Sequence, residues 1–492
     1  MPLLATPTKL NEAPKELYRP TFHFSAVKNW INDPNGLVYF DGEYHLFYQH
    51  HPDDIVWGPM HWGHAVSRNL VHWEHLPIAL SPDELGMIFS GSAVIDWHNT
   101  AGFGKEAMVA IFTHHNPETL CQSQSLAYSL DRGRSWTKYA GNPVVEPLPG
   151  IKDFRDPKVI WYDAGDGSGH WVMCLAAGTG VDFYTSPNLI EWEMSGRFGY
   201  GYGSTAGVWE TPDFFKLTVK DGSKMYWVLS VGVLEGGPAG GSGTQYFVGD
   251  FDGEKFTAHY ERETVLWVDH GADFYAVQAW NNMPDGRRVW LAWMNNWQYG
   301  LHTPATNWRG AMTIPREVGL VETADGPRLL QRPIPELKHL RGQEHQWQSF
   351  IVQSDILFSP NIRRHSLEII AEFEVPEGME AERFGVRVRV GGGAYTSIGY
   401  WTSRRMVFAD RSWSGEVDFH ESFAGLHGTT LEPENGLLRL HLFIDCCSLE
   451  VFANEGIVCF TELIYPGEEG LGIELFSQGG PVRVMELVVY EL

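Results

Sequence analysis

Three carboxylates stand in related settings along this chain of 492 residues. Asp33 lies in Asn32-Asp33-Pro34-Asn35-Gly36, Asp156 in Phe154-Arg155-Asp156-Pro157, and Glu210 two residues before Pro212 in Trp209-Glu210-Thr211-Pro212. Asn-Asp, Asp-Pro and Asn-Gly ordinarily mark exposed loop tips. Yet Trp30 and Ile31 precede the first acid, and a strand-like Gly36–Phe40 follows at once. An acid in a tight turn between segments of buried character implies a polar pocket. Facing carboxylates cleave glycosidic bonds, one as acid and the other as nucleophile or base. A third can hydrogen-bond sugar hydroxyls and stabilise positive charge. Three acids in one site are expected to raise at least one pKa by repulsion, as a general acid requires. Arg155 beside Asp156 is expected to keep that carboxylate ionised and suit it to a stabilising role.

Some scaffold must bring the three together. Helical periodicity is nearly absent; short aromatic and β-branched runs alternate with Gly, Pro, Asn and Asp, which reads as all-β. A weak repeat runs through the first two thirds. Candidate unit starts fall near residues 33, 89, 155, 210 and 273, separated by 56, 66, 55 and 63 positions. Each interval holds about four short strands with their turns. Four units close on a strand, a polar turn and an aromatic residue: Trp73, Trp136, Trp192 and Phe256. Repeated four-stranded units suggest a five-bladed β-propeller, assigned to residues 21–330 behind a lead-in segment, 1–20. The innermost strand of each blade lines the channel, so acids at matching ends of three such strands meet at one mouth. The pattern fades after Arg309–Leu320. A Pro-marked linker, 331–344, leads to residues 345–492, where two-residue alternation in 384–390 and 438–444 marks half-buried antiparallel strands. A C-terminal β-sandwich is expected there.

The net charge of −25 excludes nucleic acid and anionic membrane surfaces as natural partners. The 20 Trp, 19 Tyr and 27 Phe fit β structure and sugar-binding surfaces alike. Five scattered cysteines, Cys121, Cys174, Cys446, Cys447 and Cys459, make no disulfide framework and are expected to be free thiols. His50, His51, His61 and His64 cluster, but the last two would face opposite sides of a strand, so no metal site is expected. No cofactor is implied. The glycines of 196–204 lack the Lys-Ser or Lys-Thr of a phosphate loop. The first twenty residues show no basic segment followed by a sustained apolar run, and no stretch reaches membrane-spanning length. A cytoplasmic location is the resulting expectation, or a secreted one if a leader precedes this sequence.

The motifs taken together resemble one family. "WINDPNG" (30–36), "FYQHHP" (47–52), "WGPMHWGHA" (57–65), "FSGSAV" (89–94), "FRDPKV" (154–159) and "WETPDFF" (209–215) look like those of the invertase–inulinase–levanase family of retaining glycoside hydrolases. The likeness continues through 236–253, "DFYAVQAW" (273–280), "LAWMNNWQY" (291–299) and "RGAMTIPREV" (309–318) to "DCCSLEVFANEG" (445–456). It implies that Asp33 is the nucleophile, Glu210 the general acid and then base, and Asp156 the transition-state stabiliser. Asn32, Gln49, Trp57, Ser90 and Arg155 match positions that bind the terminal fructose; Phe89, Tyr275 and Trp297 would wall the pocket. Three positions depart from the family's usual residues: Ile31 stands for Met, Thr211 for Cys, and Cys446 for a basic residue. The first is a volume-conserving swap, the second adjoins Glu210 and is expected to alter its surroundings, and the third touches structure more than catalysis.

The resemblance implies an exo-acting β-fructosidase that releases terminal fructose from sucrose, inulin or levan with retention through a covalent fructosyl-enzyme. A fructosyltransferase on the same scaffold is the alternative within enzymes. A non-catalytic sugar-binding protein should have lost one of the three acids, and all are present. Pairing of chains through the sandwich domain is a further expectation.

Overall fold

The computed structural model describes residues 16–492 apart from 148, 223, 376, 377, 379 and 380; of the expected lead-in, residues 1–15 lie outside the described residues. Five sheets succeed one another along the chain and stand around a common axis. Their innermost strands are Asn29–Phe40, Met87–Asp96, Phe154–Asp163, Trp209–Thr218 and Tyr275–Ala279. In the first four blades the chain steps outward through consecutive antiparallel strands. Asp41-Gly42, both at positive φ, makes the first such step between the paired residues Phe40 and Glu43. That is the turn an Asp-Gly pair favours between twisted strands. Trp73, Trp136, Trp192 and Phe256 stand at or just before the start of the outermost strand of their blades. The repeat therefore marks equivalent places.

The fifth blade departs from this plan. Its second strand, Val289–Met294, is followed by a long excursion before Arg316–Thr323 and Gly326–Pro333 complete the sheet. The excursion sends Trp308–Arg309 to pair in parallel with Asn29 and Trp30 of the first blade. First and fifth blades also meet where Asn281 bridges Val38.

One local feature recurs in all five innermost strands. Each gains one residue relative to its neighbour: between Ile31 and Pro34, Ile88 and Gly91, Arg155 and Lys158, Glu210 and Asp213, and Tyr275 and Gln278. A bulge bends the strand and re-aims side chains. Proline is tolerated there because the ladder needs no donor, which accounts for Pro34, Pro157 and Pro212 at or beside three of the bulges. Asp156, Thr211 and Ala276 take positive φ within them, a conformation that costs energy in residues with a Cβ.

A short 3-10 helix, Pro335–Leu340, links the propeller to a sandwich of two antiparallel sheets, six-stranded and five-stranded. The sandwich core is aliphatic, with Ile369, Leu440, Val451, Val386 and Leu475 among its buried residues. The sandwich signature faces the propeller. Asp445 accepts the backbone N–H of Thr21 at 2.9 Å and pairs with His23 Nδ1 at 2.8 Å. Glu450 takes His23 Nε2 at 2.9 Å and Arg316 Nη2 at 2.5 Å. Gly456, at φ +85°, lies so close to the Gln331 carbonyl that a Cβ would stand 1.7 Å from it. Arg389 donates to the Asp445 carbonyl at 3.0 Å and also interacts with Cys446, so a guanidinium stands near the position where the family carries its own base. All five cysteines are unpaired.

Candidate active site

The bulges set the site. Asn32 and Asp33 occupy the first, Phe89 and Ser90 the second, Asp156 the third and Thr211 the fourth, while Arg155, Glu210 and Tyr275 stand on the last paired position before their own. Asp33 Oδ2 accepts the Ser90 hydroxyl at 2.6 Å, and Oδ1 accepts the Asn32 amide at 3.0 Å. The Trp30 indole holds the other end of that amide at 2.7 Å. Glu210 is gripped from both sides. Its Oε1 accepts Arg155 Nη2 at 2.9 Å and Nε at 3.2 Å, and its Oε2 accepts the Tyr275 hydroxyl at 2.6 Å. Asp156 accepts the backbone N–H of Thr211 at 2.8 Å across the blade boundary.

Burial and mutual repulsion act strongly on this group. Desolvation pushes the Asp33 pKa up to about 6; bonds from Ser90 and Asn32 oppose it, and the charge of Glu210 adds to it. Desolvation pushes Asp156 higher, to about 8, with Arg155 opposing and Glu210 and Asp33 reinforcing. This corrects the expectation that Arg155 holds Asp156 ionised. The guanidinium spends its hydrogen bonds on Glu210, on Asp153 at 2.7 Å and on Gln122 at 3.1 Å, and none on its neighbour in sequence. The shift favours the protonated form of Asp156 near neutral pH.

Around the acids, Trp30, Met60, Tyr275 and Trp293 form one apolar cluster, with Phe89, Met87 and Trp297 packed against it. Trp297 stacks on Trp30 at 6.0 Å. Trp57 is 39% exposed at the rim, its ring edge-on to Phe89 at 6.0 Å. Gln49 is buried and donates to the Ile88 carbonyl at 3.0 Å, ahead of the second bulge. All eleven residues singled out in the sequence thus belong to one mouth. Trp62, by contrast, is a core ring that donates to the Phe89 carbonyl at 2.9 Å.

Two supporting residues, Thr113 and Gln122, gave no sequence signal. Thr113 accepts the Asp156 backbone N–H at 3.0 Å, and Gln122 accepts both the Phe154 N–H and Arg155. The Asn35 amide, oriented to satisfy its neighbours, donates to Ser90 Oγ at 3.2 Å and accepts from Gln49 Nε2 at 3.1 Å. Thr211 carries a buried hydroxyl without a hydrogen-bond partner beside the acid it follows. The histidines turn elsewhere: His50, His51 and His61 face the carbonyls of Trp30, Val56 and Pro59, and His64 faces His45 at 3.1 Å. Among the described residues no cluster of three or more His, Cys, Asp or Glu could hold a metal ion.

Below the acids the axis is filled. Lys158 Nζ pairs with Asp213 at 2.8 Å and donates to the Ala279 carbonyl at 2.8 Å. Asn281 reaches the carbonyls of Ala93 and Val159. The mouth is therefore blind, a pocket that admits an end rather than a groove that admits a middle.

Comparison with known proteins agrees with this geometry. The model of the glycosyl hydrolases family 32 N-terminal domain matches residues 23–333, and that of the family 32 C terminal matches 336–491. A levanase of Bacillus subtilis (strain 168) is 49% identical over 489 residues, covering 97% of this chain and 71% of the relative. An extracellular exo-inulinase of Aspergillus awamori is 37% identical over 511 residues, covering 96% of this chain and 94% of the relative. The crystal structure of exo-inulinase from Aspergillus awamori has a TM-score of 0.90 to this fold at 36% identity, covering 97% and 99% of the two chains.

Proposed function

The chain belongs to glycosyl hydrolase family 32, and from that premise we propose that it is an exo-acting β-fructosidase that removes terminal fructofuranosyl residues from fructans and sucrose with retention. The observation that carries this reading is the meeting of Asp33, Asp156 and Glu210 on adjacent bulges above a filled axis.

In the proposed reaction the Asp33 carboxylate attacks the anomeric carbon of the terminal fructose while Glu210 delivers a proton to the departing glycosidic oxygen. The resulting ester to Asp33 is then hydrolysed by a water that Glu210 deprotonates. What supports the pairing is the pinning of each acid. Ser90 and Asn32 fix the oxygens of Asp33, and Arg155 with Tyr275 fix those of Glu210. Positioning of this kind supplies a large share of the barrier reduction in such reactions. Asp156 and Arg155 would engage the ring hydroxyls, and Trp57, Phe89 and Trp297 would enclose the sugar. The blind mouth favours attack at a chain end. The small, aromatic-walled pocket suits a neutral furanose, in keeping with a chain whose net charge is −25.

The reading is tested by product analysis after incubation with sucrose, inulin and levan, with the anomeric form of released fructose followed by NMR. Free fructose first appearing as the β-anomer is expected from all three. Growing oligosaccharides in place of free fructose would reassign the chain as a transferase. Inert substrates throughout would remove the fructosidase reading.

A further inference from the structure

The opposite end of the propeller axis carries a second cavity, of 410 Å³. That size lies within the range of about 300–1,000 Å³ usual for small-molecule sites. It is built from the far ends of the inner strands of blades two to five and from strands beside them. The Lys158–Asp213 pair and Asn281 fill the axis between the two mouths, so nothing bound here arrives through the catalytic pocket.

Its aromatic floor, with Trp171, Phe214, Phe215 and Trp227, belongs to the packed core, but two of its indoles do not. Trp97 and Trp161 leave 51% and 37% of their surface exposed, with His98 tilted against Trp161 at 5.8 Å. Exposed indoles at the rim of a concavity are costly to leave bare and mark ligand surfaces. Polar groups share the rim: Asp163, Lys216 and Arg288. The Arg288 guanidinium lies over the Phe215 ring at 5.1 Å, and its Nε is buried without a hydrogen-bond partner. Lys216 stands over the Trp227 ring at 5.5 Å. The two cations are thus turned onto separate rings rather than converging on a point, and a carboxylate sits with them. An anion needs convergent donors. A neutral polyol needs flat apolar faces for its C–H surface and scattered donors and acceptors for its hydroxyls, which is the set present.

We propose that this far mouth is a second, non-catalytic sugar site that holds a fructosyl oligosaccharide, a stretch of polymer bound away from the end being cut. The choice of a fructosyl ligand rests on the proposed function; the aromatic cavity does not. A polymer held here keeps its ends near the enzyme, so the gain falls on long substrates and not on sucrose.

The experiment uses the full chain carrying Asp33→Asn, to stop turnover, and counts bound fructosyl oligosaccharide of about five units by calorimetry, too short to span both mouths. Two molecules per chain are expected, falling to one when Trp97→Ala and Trp161→Ala are added. In the otherwise unaltered enzyme the same pair should leave kcat/KM for sucrose within about twofold, which also reports correct folding, and raise KM for levan by about fivefold or more. A single bound molecule with and without the tryptophans overturns the proposal. Displacement of the second oligosaccharide by inorganic phosphate overturns it as well, in favour of an anion site. Preference for a maltooligosaccharide overturns the fructosyl assignment. Failure of the unaltered enzyme on sucrose, inulin and levan would remove the proposed function instead, and the count of bound sugar is read separately from it.

Discussion

The catalytic mouth and the seam between the domains both bury carboxylates and treat them in opposite ways. At the seam, His23 sits between Asp445 and Glu450, Arg316 closes on Glu450 and Asp269, and backbone N–H groups of Thr21 and Ile314 complete the network. Those contacts hold Asp445 and Glu450 below the usual carboxylate range and lift His23 to about 9, against the desolvation each suffers. At the mouth, the one guanidinium bonds Glu210 alone of the three carboxylates, and desolvation wins at Asp33 and Asp156. A fully paired buried charge braces a structure; an under-paired one waits for a ligand. The difference lies in the partners supplied, since the residue types are the same.

This contrast can be broken from either side. The largest effect is expected at the mouth. Asp33→Asn should lower kcat by about 10⁴-fold or more, roughly 5 kcal/mol in barrier, with the melting temperature unchanged or raised. A variant that keeps a tenth of the activity would remove Asp33 from its role. Next is the seam. Glu450→Gln leaves Arg316 and His23 short of a counter-charge, and removing one partner of such a group costs about 3–5 kcal/mol. Calorimetry should show a large drop in melting temperature, whereas sucrose turnover at 25 °C persists in the folded fraction.

Tyr275→Phe removes one donor from Glu210. A hydrogen bond to a charged group contributes about 1.5–3 kcal/mol, so kcat should fall by roughly ten- to a hundredfold, with little change in KM. An equal fall for Asp33→Asn and Tyr275→Phe would show a general disruption instead.

The remaining effects concern pH, and appear as slopes rather than losses. A carboxyl whose folded pKa is raised binds its proton more tightly when folded, so its contribution to stability grows as pH falls from the folded value towards the unfolded one. Asp156 should therefore make the enzyme more stable between about pH 8 and pH 4 as acid is added, and Asp156→Asn should raise the melting temperature at pH 8 and flatten that slope. Groups at the seam run the other way. Asp445 and Glu450 lose their contribution as pH falls below the usual carboxylate range, and His23 loses its own as pH rises through about 9. In the proposed reaction Asp33 attacks as the carboxylate, so kcat/KM should decline as pH drops below about 6. A flat acid limb down to pH 4 would contradict the crowding of the site.

Much of this was legible in the sequence because the repeat carries local chemistry. Asn-Asp-Pro, Arg-Asp-Pro and Glu-Thr-Pro each place a proline where a strand must give up a ladder bond, and the bulge that results aims the acid. The outer-strand aromatics were legible for a similar reason, since each comes five to seven residues after the end of the preceding strand, behind a polar turn. The fifth blade was harder. Its candidate start, Asp273, serves the seam through Arg411 at 2.6 Å, and the residue that reaches the site is Tyr275, two positions on. Thr113 and Gln122 were invisible because they act across strands or blades, through contacts that no short window of sequence contains. The reach of Arg155 to Glu210 rather than to Asp156 was hidden for the same reason: adjacency along the chain says nothing of where a long side chain finds its partner.

The five bulges have one further consequence. In an unbroken strand, neighbouring residues face opposite ways, so each blade could offer the axis every second side chain only. One inserted residue resets that rhythm. Asn32 with Asp33, Phe89 with Ser90, and Arg155 with Asp156 become consecutive letters read by the same pocket, and beyond them the inner strands of the second and third blades resume their packing in step with their neighbours. The insertion works as a rest in a musical bar: the beat slips at the mouth, and in the first blade once more, between Asn35 and Val38, before the strand keeps time. New chemistry could therefore be written at the mouth two letters per blade, with the remainder of the propeller left to its own metre.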